Sequence, residues 1–262
     1  MHIANLDGLR LHYKIEGPED GTPVVFANSL GTDLRMWDPI MPLLPAGLRT
    51  LRYDKRGHGL SDVPGGRWSM GNLVRDVEQL MDLAGFKDAI FVGLSIGGLI
   101  AQGLAAKRLD LVRALVLSNT GAKIGTRDMW ADRIKTVEDG GLEAAVDATM
   151  ERWFSAKFRA TEEFHGWQNF HLRTPARGWT GCADAIAGTD FISSTSGLRL
   201  PTLGIAGSED GATPPDLVRE TLDLIPGSQF HLIRGAGHLP CIEAPEEYAA
   251  TLTKFFAAQG VT

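Results

Sequence analysis

Short apolar runs separated by longer amphipathic stretches set the rhythm of this chain. Pro23–Ala27, Ala89–Val92, Ala114–Leu117 and Leu203–Ala206 are almost continuously hydrophobic. Runs of that length predict strands covered on both faces, as in a parallel sheet. Leu9–Ile15, which follows a turn at Asp7-Gly8, predicts a further strand, as do Arg49–Tyr53 and Gln229–Ile233. Elsewhere the period changes. Leu73, Val77, Leu80, Met81 and Ala84 recur near every 3.6 residues and predict a helix over 69–84. Helical patterns also cover 96–107, 216–224 and 246–258. Repeated strand–helix units predict an α/β fold, a mostly parallel central sheet flanked by helices.

The alternation breaks between Thr120 and Leu200. No buried-strand pattern occurs there, and the stretch carries Trp130, Trp153, Trp167 and Trp179, four of the six tryptophans. It predicts an inserted helical cap over 121–199, with the core built from 1–120 and 200–262.

Composition narrows the partners. Of 262 residues, 44% are hydrophobic and 22% charged, with a net charge of −6. That is an ordinary globular balance, and the absence of any Lys/Arg block speaks against nucleic-acid binding. The start of the chain lacks the basic-then-apolar pattern of a secretory signal, and no apolar stretch is long enough for a membrane span. The two cysteines, Cys182 and Cys241, sit in no metal-ligand spacing and are expected to be free thiols of a cytoplasmic protein.

The sharpest motif is Gly93-Leu94-Ser95-Ile96-Gly97, where a predicted strand runs into a predicted helix. A turn that tight leaves no room for a Cβ two residues before or after the serine, so glycine at both places is a steric requirement. The turn holds a serine above a helix N-terminus, the arrangement of a nucleophile elbow. Ser95 is therefore the candidate nucleophile.

A serine hydroxyl needs a base, and the base needs an acid to orient it. His238 lies in the glycine-rich loop Gly235–Pro240 after the last predicted strand, at the sheet edge where Ser95 sits. It is the candidate base, with His58 as its main rival. The loop Gly207–Gly211 supplies Asp210 as candidate acid, with Glu209 as the alternative. The developing oxyanion needs donors. The backbone N–H of Ile96 is one candidate. The second is expected from the loop after Ala27, at Leu30 or the neighbouring Ser29.

With these residues in place, the chain resembles the α/β-hydrolase fold over nearly its whole length. The order Ser95, Asp210, His238 is the one that fold uses. Asp54-x-Arg56-Gly57-x-Gly59-x-Ser61 matches a segment common in the family, with a mainly structural role. Asn28-Ser29 stands where many relatives carry His-Gly. Within the superfamily the chain most resembles 3-oxoadipate enol-lactonases. The matching stretches are Asn28–Asp33, Tyr53–Gly59, Gly93–Gly98, Ser118–Gly125 and Arg152-Trp153-Phe154.

That resemblance implies a small enol-lactone substrate bearing a free carboxylate, and no metal or organic cofactor. A carboxylate calls for a cation, preferably the planar fork of arginine. The cap region holds Arg127, Arg133, Arg152, Arg159, Arg173 and Arg177. Arg133 is expected to pair the carboxylate. Trp130, three residues away on the same helical face, is expected to pack on the ring, and Trp153 to close the pocket. A carboxylesterase, a carbon–carbon bond hydrolase or a cofactor-free perhydrolase would use the same triad. A ligand receptor is the alternative outside enzymes. An aspartate-dependent dehalogenase or epoxide hydrolase is disfavoured by the serine at 95.

Overall fold

The computed structural model describes residues 1–261. In chain order the core opens with strands β1 (His2–Leu6), β2 (Leu9–Glu16), β3 (Thr22–Ala27) and β4 (Leu48–Tyr53). It continues with helix α1 (Met70–Ala84), β5 (Ala89–Leu94), α2 (Ile96–Lys107) and β6 (Val112–Ser118). A helical insertion follows: α3 (Arg127–Gly140), α4 (Val146–Trp153), α5 (Ala156–Arg159), α6 (Glu162–Leu172), α7 (Ala176–Ala187) and α8 (Ile192–Thr195). The core resumes with β7 (Thr202–Gly207), α9 (Pro215–Asp223), β8 (Gln229–Ile233), α10 (Pro240–Glu243) and α11 (Pro245–Ala258).

The eight strands form one sheet in the order β1-β2-β4-β3-β5-β6-β7-β8. The β1–β2 and β2–β4 pairs are antiparallel and every other pair is parallel. β1 is absent from the sequence reading. It is a short edge strand with a weak apolar signal, formed because Asp7 and Gly8 (φ 52° and 89°) make a tight hairpin turn back onto β2.

Alternate residues of the central strands feed two separate cores. Val25, Phe91 and Leu115 face a cluster with Leu73, Val77, Leu80 and Leu99 of α1 and α2. Val24, Phe26, Ile90, Val92 and Val116 face the opposite cluster, with Tyr248, Leu252 and Phe256 of α11. Burial on both faces explains why these strands read as unbroken apolar runs. The insertion extends both cores: Trp130 and Trp179 join the first, and Met150, Trp153 and Phe154 the second. Its neck is closed by a bond from Phe191 N–H to Ala122 O at 2.9 Å. Beyond that neck, Thr195 of α8 bonds Gln102 of α2 at 2.8 Å.

The segment Asp54–Ser61 acts as a bracket. Asp54 accepts the Leu34 and Leu60 N–H groups (2.8 and 2.9 Å) and pairs with His12 at 2.8 Å. Arg56 clamps Asp76 of α1 through two bonds of 2.6 Å. His58 reaches the other way: its Nε2 accepts the Gly31 N–H at 2.9 Å, while Nδ1–H donates to Arg56 O at 3.1 Å. From the insertion, His171 Nδ1–H donates to Gly31 O at 3.2 Å. The loop after β3 is thus pinned by one histidine from the core and one from α6.

Both histidines are buried, and the His58 contact needs a neutral ring because its Nε2 accepts. Burial, aided by the Lys55 charge, holds His58 well below its ordinary value. Burial, with Arg152 adding, pushes His171 down to about 4. Between pH 6.5 and about 4 the unfolded chain therefore carries a proton at 171 that the folded chain does not, so stability falls as pH falls through that window. Urea unfolding is expected to give a lower ΔG at pH 5 than at pH 7. His171→Gln should flatten that slope by up to about 1.4 kcal/mol per pH unit. An unchanged slope would contradict the neutral buried imidazole.

The elbow makes a second, steric prediction. A Cβ on Gly97 would lie 2.0 Å from the Ala27 carbonyl oxygen, and one on Gly93 would lie 2.3 Å from Gly97 O. Both obstacles are backbone. Gly97→Ala should lower unfolding free energy by about 1–3 kcal/mol or more in the same titration.

Candidate active site

Ser95 sits between β5 and α2 with φ 60° and ψ −120°. A non-glycine residue in that region carries about 1–3 kcal/mol of strain and needs surroundings that hold it. Ser95 N–H donates to Ser118 O at 3.0 Å, and its carbonyl accepts Thr120 Oγ1 at 2.7 Å and Gly98 N–H at 2.9 Å. The Ile96 N–H that follows opens α2 and is one of the free donors at a helix N-terminus.

The carboxyl ends of β7 and β8 supply the acid and the imidazole. Asp210 Oδ2 lies 2.9 Å from His238 Nδ1. The same oxygen accepts Thr213 Oγ1 at 2.8 Å and Asn119 Nδ2 at 2.9 Å, and Oδ1 accepts the Ala212 and Thr213 N–H groups at 2.7 and 3.0 Å. Burial alone would raise this carboxyl. The His238 charge and these bonds outweigh it and hold the group below its ordinary value, so it is a carboxylate at neutral pH. A carboxylate accepts, so Nδ1 carries the imidazole proton and Nε2 is left as the acceptor. Nε2 faces Ser29 Oγ at 3.4 Å. Glu209, the alternative acid, is exposed at the surface and does not reach the imidazole. His58, the rival base, spends both nitrogens on backbone groups.

Ser95 and His238 line one cavity with Ser29, Leu30, Trp130, Arg133, Arg152, Trp153 and Thr213. Its volume is about 40 Å³, room for a few waters. Much larger surface clefts elsewhere, of about 560 and 570 Å³, touch none of these residues. Trp130 is fixed by its indole N–H on Ile124 O at 2.7 Å, and the Arg133 guanidinium stacks over its ring at 5.0 Å. Burial lowers Arg133 to about 10, with repulsion from Arg152 adding. Arg152 is lowered too, again by burial, and among the described residues its guanidinium donates only to Thr149 Oγ1, at 3.2 Å. Arg127, Arg159, Arg173 and Arg177 are exposed.

Trp153 packs 4.9 Å from the His171 ring and 6.1 Å from the His238 ring. Its carbonyl accepts the His238 N–H at 2.7 Å, and the preceding Arg152 carbonyl accepts the Gly211 N–H at 3.0 Å. The end of α4 is therefore bonded to both the acid loop and the histidine loop.

The sequence reading gave no role to Asn119, Thr213 and His171, and named Arg152 only among the six arginines of the insertion. Asn119 had a weak signal: it directly follows a strand and adopts φ 47°, a conformation asparagine tolerates. Thr213 and His171 had none, because their contacts are made across loops and helices.

Similarity to known proteins places the chain in a family. A family profile described as alpha/beta hydrolase fold matches residues 22–245. A 3-oxoadipate enol-lactonase of Acinetobacter baylyi is 36% identical, covering 97% of this chain and 95% of its own length. A second from the same organism is 30% identical, covering 91% of this chain and 90% of its own length. The crystal structure of the enol-lactonase from Burkholderia xenovorans LB400 superposes with a TM-score of 0.94 at 34% identity, covering 98% of this chain and 100% of that one. The chain belongs to the alpha/beta hydrolase fold family.

Proposed function

We propose that this hydrolase opens a small anionic enol-lactone, 3-oxoadipate enol-lactone, to 3-oxoadipate, a step of aromatic catabolism. The observation that carries the reading is the cavity itself. It unites Ser95 and His238 with two half-buried guanidiniums, Arg133 and Arg152, that among the described residues have no carboxylate partner. Unpaired buried cations are costly unless an anion completes them. The relatives named above act on a lactone of this class.

The steps follow from the groups present. The substrate carboxylate pairs with Arg133, with Arg152 beside it, and the ring lies against Trp130, with Trp153 on the His238 side. Because the cavity is smaller than such a ligand, the lining side chains give way on binding. His238 Nε2 takes the Ser95 proton as Oγ attacks the lactone carbonyl, and Asp210 stabilises the imidazolium. The oxyanion is held by the Ile96 and Leu30 N–H groups. Collapse breaks the ring C–O bond and expels an enolate, which takes the proton held by the His238 imidazolium and becomes the ketone while still tethered to the acyl-enzyme, leaving His238 neutral. His238 then removes a proton from water, which attacks the ester. Ser95 regains its proton and 3-oxoadipate leaves.

Ser95→Ala should lower kcat for the enol-lactone by about 10³-fold or more in a spectrophotometric assay, and near-wild-type turnover would rule the reading out. Arg133→Ala should lower kcat/KM for the enol-lactone by about 10- to 100-fold while changing that of a neutral ester of similar size less than about 3-fold. Equal losses on both substrates would remove the carboxylate contact from the scheme.

A further inference from the structure

The loop Asn28–Asp33 carries a buried lysine on its underside. Lys55 is 2% exposed, and its ammonium donates to two carbonyls of that loop, Ser29 O at 2.5 Å and Thr32 O at 3.0 Å. Several other polar groups of the loop are bonded too, while Asn28 Oδ1 is buried without a partner. Ser29 N–H points to Met36 Sδ at 3.4 Å. Thr32 Oγ1 donates to Ser29 O at 2.8 Å, and Asn28 Nδ2 to Thr32 O at 2.9 Å. Gly31 is bonded by His58 and His171. Among the described residues the Leu30 N–H has no hydrogen-bond partner, and Leu30 lines the Ser95 cavity.

The Ser29 carbonyl and the Leu30 N–H belong to one peptide unit. A cation on the oxygen draws electron density along the planar, conjugated amide and makes its N–H a stronger donor. We propose that Lys55 is a positioning residue of the oxyanion hole, whose ammonium orients and polarises the Ser29–Leu30 peptide so that the Leu30 N–H stabilises charge developing at the attacked carbonyl. This rests on the acyl-transfer reading above. It adds a residue that touches no substrate and acts through one peptide bond.

The surroundings keep that charge available near neutrality and let it titrate above. Burial lowers the Lys55 ammonium to about 8, partly opposed by Asp54 and Asp33. The groups facing it are Asp33 on the loop, Asp54 and His58 on its own segment, and Cys182 on α7. The Cys182 thiol is itself pushed up to about 12 by burial and His58 is held neutral, so neither ionises between pH 7 and 10. Loss of the Lys55 proton as pH rises through about 8 therefore weakens the donor, and kcat should show an alkaline limb there.

The test uses hydrolysis of a p-nitrophenyl ester from pH 6 to 10, corrected for background, by the wild type, Lys55→Met, Lys55→Gln and Ser95→Ala. Lys55→Met should lower kcat by about 10- to 100-fold with KM within about twofold, toward the loss seen when an oxyanion donor is removed outright. Lys55→Gln, which can still donate to a carbonyl but carries no charge, should also lose rate and should lack the alkaline limb. A phenylboronic acid, whose tetrahedral adduct places an oxygen in the hole, should bind Lys55→Gln about tenfold more weakly. A folded Lys55→Met with kcat within twofold of wild type, or a limb near pH 8 that survives in Lys55→Gln, overturns the proposal. If Lys55→Met fails to fold, the wild-type and Lys55→Gln profiles decide by the same criteria. Ser95→Ala separates the two layers. If it turns over the ester like the wild type, the acyl-transfer reading fails. If it is inactive while both Lys55 variants behave as wild type, only the role of Lys55 fails.

Discussion

The close approach of α2 to β3 is the constraint on which the rest of the site depends. Gly97 rides against the Ala27 carbonyl so tightly that a methyl group would not fit. That contact forces the sharp turn at Ser95 and accounts for its positive φ. It also brings the first amide of α2 beside the loop that begins one residue after Ala27. The elbow and the Asn28–Asp33 loop are therefore neighbours, joined where Gly97 meets Ala27. Strain at Ser95 persists because Ser118, Thr120 and Gly98 all bond its backbone.

Around that unit the polar groups are arranged in a closed network. Asp210 has five hydrogen-bond contacts drawn from its own loop, β8's loop and Asn119 after β6. Such a carboxylate has one orientation, and the imidazole bonded to it inherits that orientation. The insertion takes part in this network. Besides the Arg152 and Trp153 carbonyls, Ser155 donates to Glu243 Oε2 at 2.6 Å while Glu243 Oε1 accepts the Gly237 N–H at 2.8 Å. Burial outweighs these bonds and raises the Glu243 carboxyl, the reverse of the balance at Asp210. The same strap that ends α4 thus carries two cavity side chains, Arg152 and Trp153, and steadies the backbone of the histidine loop.

The strand and helix positions were legible because each element announces its own burial. β5, α2, β7 and α11 fall where the pattern puts them, since a strand buried on both faces has to be apolar throughout and a helix such as α1 needs an apolar stripe toward the core. β1 escaped because an edge strand with one half-buried face leaves little pattern. Ser95 and the glycines beside it were legible for a local reason too: the turn admits no other small set of residues.

Long-range polar contacts have no such local signature. Asp210 and Glu209 are adjacent and chemically alike, and only the path of the chain after β7 turns the first inward and the second to water. Of six arginines in the insertion the sequence singled out Arg133, and packing of α3 and α4 left both Arg133 and Arg152 beside the cavity. Asn119, Thr213, His171 and Lys55 meet their partners across 3 to 140 positions, through loops whose course is fixed by the sheet. The sequence by itself determined the α/β alternation, the elbow and the order of serine, acid and histidine, because those follow from local sterics and burial. Which carboxylate meets His238, which arginines line the cavity and which carbonyls hold the Lys55 ammonium was decided only by tertiary structure, because a hydrogen bond depends on positions in space that distant segments reach together.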